Sequence, residues 1–290
     1  MMDGMRAAAD EVINEHALHL PAAGLRQLVD SCIGYRQGAW ETARHRGLPS
    51  PGLTLIFTLD EPLVLATHPD PAQPPCSYDA VLSGLHTTPV TVVMDRPQAG
   101  IQLSLSPLGA RALLGLPAAE LAGLDVSAAE VLGGPVAELL DRLRCAAGWA
   151  EQFAVLDQGL LALASREAGR GEVSAEVSYA WRRLLRTGGT AGVRELAAET
   201  GWSERHLRAR FRAETGLGPK AAGRVIRFTR ARSELARRAA AGAPLDLAGL
   251  ATSCGYFDQA HLDREFGQLA GCPPTTWLAE EFRNIQATAA

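Results

Sequence analysis

The chain has 290 residues, 47% of them hydrophobic and 21% charged, with a net charge of −4. That length accommodates two domains, the composition is that of an ordinary soluble globular protein, and no apolar run reaches the roughly 18 residues a membrane helix needs. Five scattered cysteines (Cys32, Cys76, Cys145, Cys254, Cys272) contain no CxxC pair, which speaks for reduced thiols in the cytoplasm and against a zinc site or a disulfide framework.

Taken in chain order, "MMDGMRAAADEVINEH" carries acidic residues where a signal peptide is basic and then apolar, so no secretion signal is expected. Residues 45–106 show period-two alternation. Leu53, Leu55, Phe57 and Leu59 share one side of "LTLIFTLD", and Ile101, Leu103 and Leu105 share one side of "IQLSLS". With "YDAVLSGL" and "VTVVM" as further strands and short proline-rich loops between them, an antiparallel, cupin-like sheet unit is expected. Thirteen of the 17 prolines lie before residue 136, which sets this region apart from the rest of the chain.

The period changes at Pro107. "PLGARALLG" reads as a short helix stopped by glycine. Val136, Leu139, Leu140 and Leu143, then Phe153, Leu156, Leu160 and Leu163, take helical spacing, with a break at "AAGW". The second stripe either covers the sheet or pairs two copies of the chain, and pairing is the favoured expectation. "SREAGRGEVS" is a small, polar, glycine-bearing stretch. The expected division is therefore a β-rich sensor or dimerisation domain over 1–164, a linker over 165–175, and an all-helical domain over 176–284.

Charge divides at the same place. From Glu176 onward there are 17 Arg+Lys against 12 Asp+Glu, while the first 175 residues hold 11 against 20. Such asymmetry points to one domain that meets a polyanion and one that does not.

The helical region writes one motif twice, as "GWSERHLRARFRAETGLGPK" from Gly201 and "GYFDQAHLDREFGQLAGCPP" from Gly255. Upstream of each copy a two-turn stripe runs at i, i+3, i+4, i+7: Val193, Leu196, Ala197, Thr200 and Leu247, Leu250, Ala251, Cys254. Each stripe stops at a glycine suited to a left-handed turn, followed by an aromatic, Trp202 or Tyr256. A capping residue comes next, Ser203 or Asp258, and then an i, i+4 pair, Leu207/Phe211 or Leu262/Phe266. The second copy carries one extra turn residue, Phe257. Helix, glycine turn, helix is the helix-turn-helix of DNA readers. With Leu207 and Phe211 facing inward, Arg205, Arg208, Ala209 and Arg212 share the outer face. Three guanidiniums on one stripe suit guanine O6/N7 and phosphate in a major groove.

On these residues, together with the connecting "AAGRVIRFTRARSELARR", residues 176–284 resemble the DNA-binding domain of the AraC/XylS family of transcription regulators. "HRGLPSPGLTLIFTLDEP" and "GIQLSLSPLGARALLGLP" resemble, more loosely, β-rich sensor domains attached to some of them. The resemblance implies a sequence-specific regulator that binds two adjacent major-groove segments of double-stranded DNA, and not an enzyme. It also implies a small-molecule effector or partner at the N-terminal domain, homodimerisation and contact with RNA polymerase. The expected DNA-binding residues are Ser203, Arg205, Arg208 and Arg212 in the first copy and Gln259, His261, Asp263 and Arg264 in the second. Asp263 and Glu265 set negative charge near phosphates; Asp263 either accepts from a cytosine amino group or holds Arg264 in place.

Other chemistry is sparse. His45, His68 and His86, with Asp60, Glu61 and Asp70, have no metal-ligand spacing, and no phosphate loop, GxSxG or HExxH motif occurs, so neither a metal nor a cofactor is expected. The alternative reading is an enzyme or DNA-repair protein whose N-terminal domain is catalytic and whose helical domain only recruits DNA.

Overall fold

The computed structural model describes residues 14–39, 44–167 and 172–286. The architecture is α+β, an antiparallel β-rich N-terminal region with flanking helices followed by an all-helical C-terminal region. The described strands are β1 (Asn14–His19), β2 (Val29–Gln37), β3 (Arg44–Gly47), β4 (Leu53–Thr58), β5 (Leu63–Thr67), β6 (Cys76–Tyr78), β7 (Ala80–Ser83), β8 (Val90–Val93), β9 (Gln98–Leu105) and β10 (Asp125–Ser127). They form a six-stranded sheet in the order β1-β2-β9-β4-β7-β10 and a four-stranded sheet in the order β3-β8-β5-β6, with every pairing antiparallel.

The alternation read in the sequence sets the register. Leu55 pairs with Leu103 and Phe57 with Ile101, so the apolar faces of β4 and β9 coincide and all four side chains are fully buried. The sheet extends beyond the expected 45–106. β1 and β2 precede it and β10 adds the far edge. A register shift between Val29 and Ser31 explains why β2 shows no clean alternation.

Helices α1 (Ala110–Leu114), α2 (Ala128–Leu132), α3 (Gly134–Cys145) and α4 (Gly148–Arg166) come next, with α1 and α4 covering the large sheet. The stripe Phe153, Leu156, Leu160 and Leu163 is at most 6% exposed and belongs to the core with Leu55, Ile101 and Leu103. This corrects the expectation that the stripe pairs two copies. Burial of each such side chain contributes about 1.5–3 kcal/mol, and the sheet of the same chain takes it. Trp149 seals the outer end of α4. Its ring lies where a side chain at Gly34 would stand, its Nε1 donates to Glu15 at 2.7 Å, and Arg36 stacks above it at 4.4 Å.

The six residues weighed for a metal are dispersed. His68 Nδ1 meets Asp125 at 2.8 Å, and His86 Nδ1 meets the carbonyl of Thr88 at 2.6 Å. Asp60 accepts from the N–H of Ala99, Asp70 from that of Ala72, and Glu61 faces Arg96. His45, on β3, has its pKa pushed down to about 4 by burial and by Arg232. Among the described residues no group of three or more potential ligands converges.

The helical region holds α5 (Ala175–Arg186), α6 (Val193–Thr200), α7 (Glu204–Thr215), α8 (Pro219–Ala240), α9 (Leu247–Ser253), α10 (Gln259–Leu269) and α11 (Pro274–Gln286). Ser174 caps α5 by accepting from the N–H of Val177. Within the expected linker, residues 168–171 lie outside the described residues; so do 1–13 and 40–43, including most of the stretch read for a secretion signal. The 22-residue α8, about 33 Å long, divides its faces between two cores. Ala222 and Ile226 join Trp181, Leu196, Leu207 and Phe211, while Phe228 and Leu235 join Leu250, Leu262, Phe266 and Trp277.

The N-terminal region grips both halves of this arrangement. Arg111 donates through Nε and Nη2 to the carboxylate of Glu214 at 2.7 and 3.0 Å, at the end of α7. Beside it Gly216, at φ 82°, lies so close to Ala122 that an added Cβ would stand 2.2 Å from the alanine methyl. Arg46 makes the matching fork to Glu280 of α11 at 2.8 and 3.1 Å, and Leu48 packs on the second core.

Candidate nucleic-acid interface

The two helix-turn-helix units are α6–α7 and α9–α10, and their turns are built alike. Gly201 and Gly255 stand at φ 72° and 83°, in the left-handed region where glycine carries no Cβ penalty. The next residue closes each turn by the same bond. Trp202 N–H donates to the Ala197 carbonyl at 3.0 Å, and Tyr256 N–H to that of Ala251 at 2.9 Å. Ser203 then accepts from the N–H of His206 at 3.2 Å and Asp258 from that of His261 at 2.7 Å, each satisfying a free donor of the following helix. The aromatic meets the histidine edge-on in both units, at 4.6 Å for Trp202–His206 and 5.2 Å for Tyr256–His261. Leu207, Phe211, Leu262 and Phe266 are all fully buried.

On the outer face of α7, Arg205, Arg208 and Arg212 are exposed. Arg208 is drawn back one turn to Glu204 by an exposed ion pair, which costs little to exchange for another acceptor. On α10, Gln259 and Arg264 are exposed, while Asp263 and His261 are partly covered. Among the described residues Asp263 makes no ion pair with Arg264. Glu265, expected to set negative charge near phosphates, is not an exposed charge on the outer face. It is 5% exposed, and its Oε1 accepts from Arg224 Nε and Arg227 Nη2, both at 2.9 Å. The reason is its place on the helix, on the same side as Leu262, Phe266 and Leu269, where only a paired carboxylate is tolerated.

The sequence reading missed Lys220, Arg224 and Arg227. They stand at i, i+4, i+7 along the start of α8 and line a cleft of about 660 Å³ with His261, Arg264 and Glu265. That spacing was the available signal, hidden inside a helix read only as a connector.

Residues 196–280 match the family described as a helix-turn-helix domain, and residues 17–127 match a domain of unknown function, DUF6597. No curated protein matches the chain at significant sequence similarity. Among solved structures, the unsaturated-fatty-acid-bound ToxT of Vibrio cholerae is similar in fold, with TM-score 0.51 and 10% identity over 85% of this chain and 94% of that one. An apo variant of the same protein gives TM-score 0.52 at 9% identity over 86% and 97%. The fold and the paired turns define a helix-turn-helix protein with an N-terminal β-rich region. The helix-turn-helix match covers the segment that holds both units, α6–α7 and α9–α10, apart from the start of α6. Among the described residues no helix is long and apolar enough to cross a membrane.

Proposed function

We propose that this chain is a cytoplasmic regulator, not an enzyme, that reads two adjacent major-groove segments unequally: α7 through Arg205, Arg208 and Arg212, and α10 through Gln259, His261, Asp263 and Arg264. The division of labour is 1–164 for sensing, 165–175 for connection and 176–284 for DNA, with Ser203 acting as the cap that presents α7. The observation that carries this reading is the exposed arginine stripe on a helix whose cap, turn and core are duplicated in α9–α10. Neutral readers on a duplicated frame would have no reason to place like charges side by side. Selection of bound duplexes from a random library tests it: a bipartite motif with half-sites one helical turn apart is expected, and the absence of any preferred sequence contradicts it.

The N-terminal region is the proposed effector domain. A cleft of about 670 Å³ between it and α5, lined by Arg26, Asp30, Arg111, Glu172, Trp181 and Arg182, has room for a small molecule. The fold likeness to a protein solved with a bound fatty acid supports a ligand-responsive role. Family resemblance adds homodimerisation and contact with RNA polymerase. For pairing, one candidate surface is the edge strand β1, which is bonded only to β2 among the described strands and followed by exposed Leu20.

A further inference from the structure

The cleft between the two helix-turn-helix units holds more positive charge than the fold requires. Its floor is the first two turns of α8, with Lys220 exposed at the entrance and Arg224 one turn deeper. One wall is the flank of α10, carrying His261 and Arg264; the other is the turn of residues 189–192 that leads into α6. That second wall is Gly189, Thr190, Ala191 and Gly192, so it offers backbone and small side chains; the carboxylate of Glu195 behind it accepts from the Gly192 N–H at 3.4 Å and is paired with Arg183. Four permanent cations, Lys220, Arg224, Arg227 and Arg264, thus face a single carboxylate, Glu265. Lys220 and Arg264 carry no ion pair among the described residues.

Glu265 does not neutralise this cleft so much as set its shape. Its Oε1 is shared between Arg224 and Arg227, and Arg227 lies over the Tyr256 ring at 4.9 Å. Arg224 is held from a second side by Gln268, one turn further along α10. Two orphan polar atoms, Nε of Arg227 and Oε2 of Glu265, lie buried in the same cluster. A guanidinium fixed on its inner side and open on its outer side is pre-organised for an oxyanion.

The position of the cleft says which anion. α7 runs directly into α8 through Gly216–Gly218, and the cleft opens where the start of α8 meets the turn into the first unit and the flank of α10, the reading helix of the second. We propose that it seats a backbone phosphate of the DNA strand that passes between the two major-groove segments, with Lys220, Arg224 and Arg264 as its contacts and Glu265 as the residue that positions Arg224. The proposal rests on the DNA-reading function above and adds a sequence-independent anchor between the two readers. Each phosphate neutralised releases condensed counterions, so the anchor acts on affinity and its salt dependence, not on base preference.

The test uses the full chain with Lys220→Ala, Arg224→Ala, the double variant, and Arg142→Ala as a control arginine, exposed on α3 and outside both clefts. Binding is titrated against salt on a selected duplex and on its scrambled form. Lys220→Ala and Arg224→Ala are each expected to lower the slope of log K against log salt by about 0.9. Each also weakens both duplexes about tenfold at moderate salt, while Arg142→Ala matches the wild type. A second arm places one neutral methylphosphonate linkage at each position between the half-sites. One or two positions should weaken the wild type and leave the double variant indifferent. Unchanged slopes, losses confined to the selected sequence, or methylphosphonate effects that persist in the double variant overturn the anchor while leaving the DNA-reading function standing. A wild type that binds neither duplex overturns both. Lys220 is exposed, so its variant keeps the test valid should Arg224→Ala fail to fold.

Discussion

The two helix-turn-helix units share a frame and differ in what they hang on it. At matched positions, the glycine turn, the closing backbone bond, the cap, the aromatic–histidine contact and the buried leucine–phenylalanine pair recur. The side chains between those fixtures diverge. Arg205, Arg208, Arg210 and Arg212 of α7 correspond to Ala260, Asp263, Glu265 and Gly267 of α10. In the proposed function the frame is what a groove demands of any reader, whereas the exposed stripe would answer to a particular base sequence. The difference also reaches the interior. Arg210 is exposed, while Glu265 is buried and ties α10 to α8. The second unit is therefore fastened through its reading helix, and the first is fastened at its end, where Glu214 meets Arg111 of the N-terminal region.

The largest effects test the sameness of the frames. Phe211→Ala and Phe266→Ala should each destabilise the helical region by about 3–5 kcal/mol, because each leaves a cavity in a core that cannot collapse to fill it. Chemical denaturation with a common probe measures both, and a large inequality would mean the two cores are not equivalent. Next comes the divergence inside. Glu265→Ala strips two arginines of their shared partner and should cost about 2–3 kcal/mol, less than a fully buried pair because Arg224 is partly solvated. Arg210→Ala, at the matched surface position, should change stability by no more than about 0.5 kcal/mol.

Asp263→Asn sharpens the comparison of the outer faces. Removing a carboxylate beside the DNA should tighten binding to scrambled duplex by about 0.5–1 kcal/mol while blurring preference in the second half-site. Parallel titrations on selected and scrambled DNA read both changes. An acid-side test concerns how the N-terminal region holds the second unit. His45 lies beside Arg232 of α8, with its pKa lowered from 6.5 to about 4. A base depressed in the folded state is protonated more readily once unfolded, so its contribution is complete above about pH 6.5 and is lost as pH falls toward 4. The slope from this one proton is at most about 1.4 kcal/mol per pH unit. Thermal melts of the wild type and His45→Phe across that window should diverge only on the acid side; parallel curves would remove His45 from the account.

Much of this arrangement was legible because its determinants are local. A glycine, a cap three residues before the donor it satisfies, and an i, i+4 apolar pair lie within one short segment, so both units could be outlined from sequence alone. The strands β4 and β9 were legible for the same reason, since alternation is a property of neighbours. What escaped depended on distant partners. β1 and β2 are strands because β9 is there to receive them, and the irregularity near Val29 breaks their pattern. The stripe on α4 reads identically whether a sheet or a second chain covers it. Glu265 looks like a surface acid until Arg224 and Arg227, some forty residues upstream, are placed against it. Lys220, Arg224 and Arg227 show their spacing openly, yet their meaning depends on α10 forming the opposite wall of the cleft.

The central claim is that equal frames carry unequal readers, and one comparison addresses it directly: binding selections on random duplex with the wild type, Arg208→Ala and Arg264→Ala. The account predicts that Arg208→Ala costs about 1–3 kcal/mol on the selected site and relaxes preference at one base pair of the first half-site only. Arg264→Ala, drawing on the cleft as much as on base edges, should weaken all sequences and leave the first half-site unchanged. Equal, sequence-independent losses for both variants would contradict the account.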